Sequence, residues 1–202
     1  MFYYDFLSTF SISSIVCFFT DMFRPDLRVK EESRKDILKS YIQMIPAIEM
    51  NLIVAMPTFY YFEEVMKEQE RNEYPFIFNF FAWLLLTDFI FYCNHRLLHL
   101  KSLYYFHARH HEYNYTFGAG AIYAGLVDFL FANILPSFLP IYWISPNNET
   151  IKFIIIFSTF YTVVVSHGGY KFLRKAHLNH HIYRRVNYGL FISDRVMDKI
   201  DF

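Results

Sequence analysis

The chain carries nine histidines, and all of them fall in two short stretches. The first runs His95, His99, His107, His110, His111. The second runs His167, His177, His180, His181. Spacings of three and four place side chains on one face of a helix. His95 and His99 should therefore share a face, as should His107, His110 and His111, and likewise His177, His180 and His181. One divalent metal with imidazole ligands needs three or four histidines. Nine are enough for two metals with positions left open. Imidazole suits Zn, Cu, Fe and Ni, so the ligand type alone does not select the metal.

The plain alternative is that these are ordinary core or surface residues. His167 taken alone would be read so, and His95 with His99 alone would be a weak signal. Two copies of His-x-x-His-His in a membrane protein are a different matter, because histidines near a bilayer are costly unless they are used. Asp88 lies seven residues before His95 and is a candidate to fix the tautomer of a histidine. Helix–helix hydrogen bonding is its plainer reading. No His-Glu-x-x-His is present, which disfavours an intramembrane zinc protease. Gly118, Gly120 and Gly125 form no phosphate loop and read as packing or turn residues.

The elements that must position these residues are apolar. Of the 202 residues, 54% are hydrophobic, 22% aromatic and only 19% charged. The apolar blocks are Phe6–Phe23, Tyr41–Phe62, Phe76–Cys93, Ala119–Ile144 and Ile151–Ser166. Most approach the about 20 residues that a spanning helix needs. An all-α bundle of about four to five membrane helices with a histidine-rich helical cap is expected, as a single membrane domain over 1–202. Pro46, Pro57, Pro136 and Pro140 sit inside blocks, which membrane helices tolerate. The first block is broken by serines and threonine, and Phe6–Phe19 reads as an anchor or interfacial helix. No cleavable signal peptide is expected, since Met1–Asp5 has no basic region.

Charge sets orientation. Basic residues concentrate in Arg24–Lys39, in Asn94–Gly118 and after Ser166, whereas Ser145–Thr150 has none. By the positive-inside rule both histidine stretches are cytoplasmic. The net charge of zero gives no case for nucleic acid. Cys17 and Cys93, each inside an apolar run, suggest no disulfide framework.

As a set, the blocks His95/His99, His107/His110/His111, His167 and His177/His180/His181 resemble the fatty acid hydroxylase/sterol desaturase superfamily of integral membrane enzymes. The resemblance covers about Thr87 to the C-terminus, so 87–202 reads as the histidine-cluster catalytic region. Asp88 matches an acid of that family. Asn187-Tyr188-Gly189-Leu190 through Met197-Asp198-Lys199 resembles its C-terminal signature, with Met197 in place of a tryptophan. Asn187 and Asp198 are thereby candidates to support the ligands; Asp198 could equally pair with Arg195 or Lys199. Many members carry a His-Pro-x-Glu element where this chain has Ala121–Leu126. Some hydroxylases have a second middle histidine where Lys171 stands.

The resemblance implies two iron ions ligated by all nine histidines, O2 as oxidant, and hydroxylation or desaturation of a sterol or acyl lipid. Zinc could replace iron in purified protein. Electrons would come from NAD(P)H through a reductase or a b-type cytochrome, docked on the basic cytoplasmic face. In a eukaryote the membrane would be of endoplasmic reticulum type. Two other readings stand beside this one: a zinc-dependent membrane hydrolase, and a non-catalytic metal-binding protein.

Overall fold

The computed structural model describes residues 2–173, 176–190 and 192–193. It is an all-α membrane helix bundle. Five helical segments are long and apolar enough to cross a bilayer: 2–23, 34–67, 76–98, 126–144 and 148–166. Helix α1 is Phe2–Phe23, α2 Arg34–Lys67 and α3 Phe76–Leu98. The fourth segment joins a π-helical turn, Phe129–Ile134, to α4, Leu135–Ile144. The fifth joins α5, Asn148–Phe160, to a second π-helical turn, Tyr161–Ser166. A short helix, α6, covers Ala176–Tyr183.

Local chemistry sets several boundaries. Ser33 caps α2 by accepting a hydrogen bond from the Asp36 N–H at 3.2 Å. Asn147 caps α5 by accepting from the Thr150 N–H at 2.9 Å. Between α4 and α5, Ser145 takes a left-handed conformation (φ 48°), and its hydroxyl donates to the Glu70 carbonyl at 2.6 Å. That bond ties two connectors together at one end of the bundle.

Phe6, Phe59, Phe62 and Phe138 form a continuous aromatic column. Its ring centroids are 5.0 Å apart for Phe6–Phe59, 4.7 Å for Phe59–Phe138 and 4.3 Å for Phe62–Phe138. Helix α1 is thus part of the bundle core, with Phe2, Phe6, Phe10 and Cys17 buried. Of the two readings of this run, anchor or interfacial helix, its length and apolarity suit a membrane-crossing anchor, packed on one face into the bundle. Its serines do not break the helix, because Ser13 is buried and Ser8 bonds back to the Asp5 carbonyl. Outward-facing apolar residues, among them Ile12, Phe19, Ile53, Phe78, Phe81 and Leu85, are exposed. Such surface is suited to lipid rather than water.

The basic connector after α1 lies at the same end as the histidine segments. The Val29 N–H donates to the Gly169 carbonyl at 2.9 Å, and the Lys171 N–H to the Leu27 carbonyl at 2.8 Å. Buried Arg28 pairs with buried Asp21 at 3.0 Å and donates to the Thr116 carbonyl at 2.9 Å. Its guanidinium also lies 4.2 Å from the Phe117 ring centre. This cross-tie fixes the loop that follows His111. Two glycines permit the close approach. A Cβ on Gly118 would meet Cys17 Sγ at 2.6 Å. Gly169 has φ +71°, and a Cβ there would meet the Thr116 carbonyl at 2.7 Å.

Candidate metal centre

The ends of α3 and of the fifth segment, the loop between the third and fourth segments, and α6 bring all nine histidines to one place. They form two groups. One holds His95, His99, His107, His111 and His180; the other holds His110, His167, His177 and His181. Within each group the potential ligand atoms lie within 4.8 Å of one another.

Contrary to its spacing, the first His-x-x-His-His does not lie on one helix. His107 ends a single helical turn and His110 begins a 3-10 turn, so the first His-x-x-His-His has no continuous helical face. Both motifs divide between the groups. The residues four apart, His107/His111 and His177/His181, stay together. The middle residue of each motif, His110 or His180, crosses to the other group. This exchange interlocks the two groups, and the spacing alone did not disclose it.

Nε2 atoms converge in both groups. In the first, separations are 3.0 Å for His95–His107, 3.0 Å for His107–His111, 3.1 Å for His99–His111 and 3.1 Å for His111–His180. In the second they are 3.4 Å for His110–His167, 3.1 Å for His167–His177 and 3.3 Å for His177–His181. Imidazole nitrogens packed this way repel one another unless a cation lies among them. The separations suit metal–nitrogen bonds of about 2.0–2.1 Å. The donor set therefore fits a pair of metal ions.

For four of the rings, the opposite nitrogen explains why Nε2 faces inward. His95 Nδ1–H donates to the Tyr188 carbonyl at 2.8 Å, and His180 Nδ1–H to the Val186 carbonyl at 2.7 Å. His167 Nδ1–H donates to the Thr162 carbonyl at 2.8 Å. His107 Nδ1 meets the buried Asp128 carboxylate at 2.8 Å. Each bond fixes a tautomer and leaves the Nε2 lone pair for a metal. The π-helical turns contribute here. The carbonyl of Thr162, in the second turn, accepts from both His167 N and His167 Nδ1. The carbonyl of Phe131, in the first, accepts from Asn94 Nδ2 at 2.8 Å.

Nothing in the histidine spacing points to Asp128. Its signal was an acid inside the apolar Ala119–Ile144 block, a costly placement without a partner. Its place seven residues before His95 makes Asp88 a candidate to orient a histidine ring. Instead its carboxylate accepts from the backbone N–H groups of Leu190, Ile192 and Ser193 at 2.7–2.8 Å. It holds the segment whose Tyr188 carbonyl holds His95, one step removed from the ring. A carboxylate on a helix satisfies a neighbouring turn of backbone as readily as an imidazole, and seven-residue spacing cannot distinguish them. Asn187 adopts φ 55°, a conformation asparagine tolerates. It stands between the two carbonyls that hold His180 and His95. Asp198 lies outside the described residues, as do Met197 and Lys199. Lys171 is exposed and donates to the Asp26 carbonyl at 2.7 Å, away from the cluster.

Burial keeps the rings neutral. It pushes His99, His107 and His180 down to about 3 and His167 down to about 4, with the neighbouring imidazoles adding to the effect at His99 and His180. His110, His111, His177 and His181 are lowered in the same sense by burial first and by neighbouring histidines second. Neutral imidazole is the form that binds metal. The sign for stability follows. Between about pH 6.5, the ordinary histidine value, and pH 4, the unfolded chain binds more protons than the folded one. The metal-free protein should lose stability as pH falls through that window. Melting in detergent at a series of pH values checks this, and a midpoint that stays flat or rises on acidification would contradict it.

An apolar cavity of about 60 Å³ lies inside the bundle next to this centre, walled by residues such as Phe6, Phe59, Phe129 and Ile154. A smaller one, about 10 Å³, is lined by His95, His107, His110, His167, His177 and Asp128.

Comparison with known proteins agrees with this architecture. The family model described as fatty acid hydroxylase matches residues 80–200. Among curated proteins, the chain is 26% identical over 166 residues to the fatty acid hydroxylase ahd1 of Mycosarcoma maydis, covering 75% of this chain and 43% of that protein. It is 48% identical over 50 residues to a very-long-chain aldehyde decarbonylase of Oryza sativa subsp. indica (24% of this chain, 19% of that protein). It is 44% identical over 50 residues to a methylsterol monooxygenase of Arabidopsis thaliana (24% and 18%). The chain spans less than half the length of these relatives. No solved structure gives a significant match. With more than half of its length matched by the family model and its histidine blocks folded into one paired cluster, the chain belongs to the fatty acid hydroxylase family.

Proposed function

We propose that this protein is an O2-dependent membrane lipid oxidase that hydroxylates or desaturates a C–H bond of an acyl or sterol lipid at a di-iron centre. The observation that carries the reading is the division of nine converging histidines into groups of five and four beside an apolar cavity. His95, His99, His107, His111 and His180 would hold one iron, and His110, His167, His177 and His181 the other. The irons supply the activation of O2 that C–H oxidation needs.

The remaining work falls to the chain. Asp128 and the carbonyls of Thr162, Val186 and Tyr188 hold ligand rings in one tautomer. Buried aromatic and aliphatic walls exclude water and receive the lipid from the bilayer. All-histidine ligation distinguishes this centre from the carboxylate-rich di-iron bundles of soluble proteins. Residues 87–202 form the catalytic region within a single membrane domain, and Asn187 positions two ligand-holding carbonyls.

The basic residues at the histidine end support a cytoplasmic placement, in an endoplasmic reticulum-type membrane if the source is eukaryotic. Arg24, Lys30, Lys101, Arg109, Lys171 and Arg184 are exposed there and would dock an acidic reductase or b-type cytochrome carrying electrons from NAD(P)H.

The test uses membranes supplied with iron, NAD(P)H, a reductase and labelled O2. Wild-type membranes should yield lipids that gain one labelled oxygen or lose two hydrogens, and His107→Ala membranes should not. No oxidation above the variant's level, with iron bound and electrons supplied, would replace the oxidase reading with that of a non-catalytic metal-binding protein.

A further inference from the structure

The metal-facing cavity and the apolar cavity share two residues, Asn133 and Thr162. Each comes from one of the two π-helical turns, Phe129–Ile134 and Tyr161–Ser166. A π turn is an energetically poor way to continue a helix and is frequently found at functional sites. Here two of them meet at one constriction.

The two side chains are not equivalent. The Thr162 hydroxyl donates to the Ser158 carbonyl at 2.7 Å, so its proton is committed while its lone pairs remain free. Among the described residues the Asn133 amide has no hydrogen-bond partner, and it faces both cavities. Asn133 is half-buried, so its amide keeps its donors free for a group entering either cavity. On the same helix Ser137 donates to the Asn133 main-chain carbonyl at 2.9 Å, which leaves the side-chain amide uninvolved. Beyond the constriction the larger cavity is walled by Phe10, Phe129, Phe138, Ile141 and Ile154. From Thr162 to Ile154 its wall follows about 12 Å of helix rise, a slot of that length along the fifth segment.

We propose that Asn133, assisted by Thr162, is a specificity-determining residue that binds an oxygen atom belonging to the substrate itself. The Asn133 Nδ2–H donates to a hydroxyl or carbonyl oxygen. Where that group is a hydroxyl, Thr162 Oγ1 accepts its proton. The carbons next to that oxygen lie in the apolar slot. The substrate is then an oxygenated lipid, and the carbon presented to the histidine centre lies within a few bonds of that oxygen. This inference rests on the oxidase reading of the same site.

Binding separates the two claims. Metal-loaded protein in detergent is titrated with labelled hexadecan-1-ol and with hexadecane. Wild type should bind the alcohol about tenfold more tightly than the alkane, the discrimination expected when one half-buried amide gains or loses its partner. Asn133→Leu, close in volume, should abolish that preference while the metal content stays unchanged. Thr162→Val should reduce it more modestly and serves if the leucine variant does not fold. Equal binding of the two probes by wild type, no binding of either, or a preference that survives Asn133→Leu would overturn the assignment. A retained alcohol preference without oxidised product would count against the oxidase reading alone.

Discussion

Replacing His111 by alanine should remove lipid oxidation altogether and strip metal from the protein. No other ring is placed as this one is. Its Nε2 lies 3.0–3.1 Å from those of His107, His99 and His180. Its ring centre is also 4.6 Å from that of His181, in the other group. Losing it opens the first ligand set and loosens the wall between the two. Disturbing only a residue that supports a ligand already weakens metal binding about 10- to 100-fold, and loss of a ligand should exceed that. Elemental analysis and product analysis on the same preparation check the effect. Retention of full metal and activity in His111→Ala would show that the five-histidine group is not a ligand set.

Asp128→Ala should have the next largest effect. The carboxylate is 1% exposed, and the ring it holds, His107, is equally buried. Without it the His107 Nδ1–H loses its partner, and the ring can turn or exchange tautomers. Metal affinity should fall about 10- to 100-fold. The unpaired buried donor should also lower stability by about 1–3 kcal/mol. Competition with a chelator reads the first quantity and detergent melting the second. Asp128→Asn, which keeps an acceptor oxygen at that position, should fall between alanine and wild type. An alanine variant that holds metal as tightly as wild type would mean that His107 is oriented by something else.

The parts of this protein that follow from local pattern could be read directly. Apolar blocks of spanning length became spanning helices because a bilayer requires uninterrupted, internally bonded backbone. The histidine spacings identified every member of the cluster, since few other uses exist for so many imidazoles beside a membrane. The parts that depend on tertiary meeting were hidden. His110 and His180 cross between groups because the first motif folds as two short turns, which nothing in the spacing signals. The pairing of His107 with Asp128 spans 21 residues and a change of helix. Asp88 reaches across more than a hundred residues to a stretch of backbone that carries no side-chain signature at all. The π-helical turns left no mark in composition, yet they supply the Thr162 carbonyl and aim Asn133 at the constriction.

The most direct measurement is the metal stoichiometry of the wild-type chain. Protein purified from iron-replete cells is analysed for iron and zinc per chain, before and after replacement of one residue from each group, His107→Ala and His177→Ala. Two metal ions per chain, predominantly iron, with both lost or sharply reduced in either variant, is the expected result. One ion per chain, none, or a metal content untouched by either substitution would contradict a paired histidine centre.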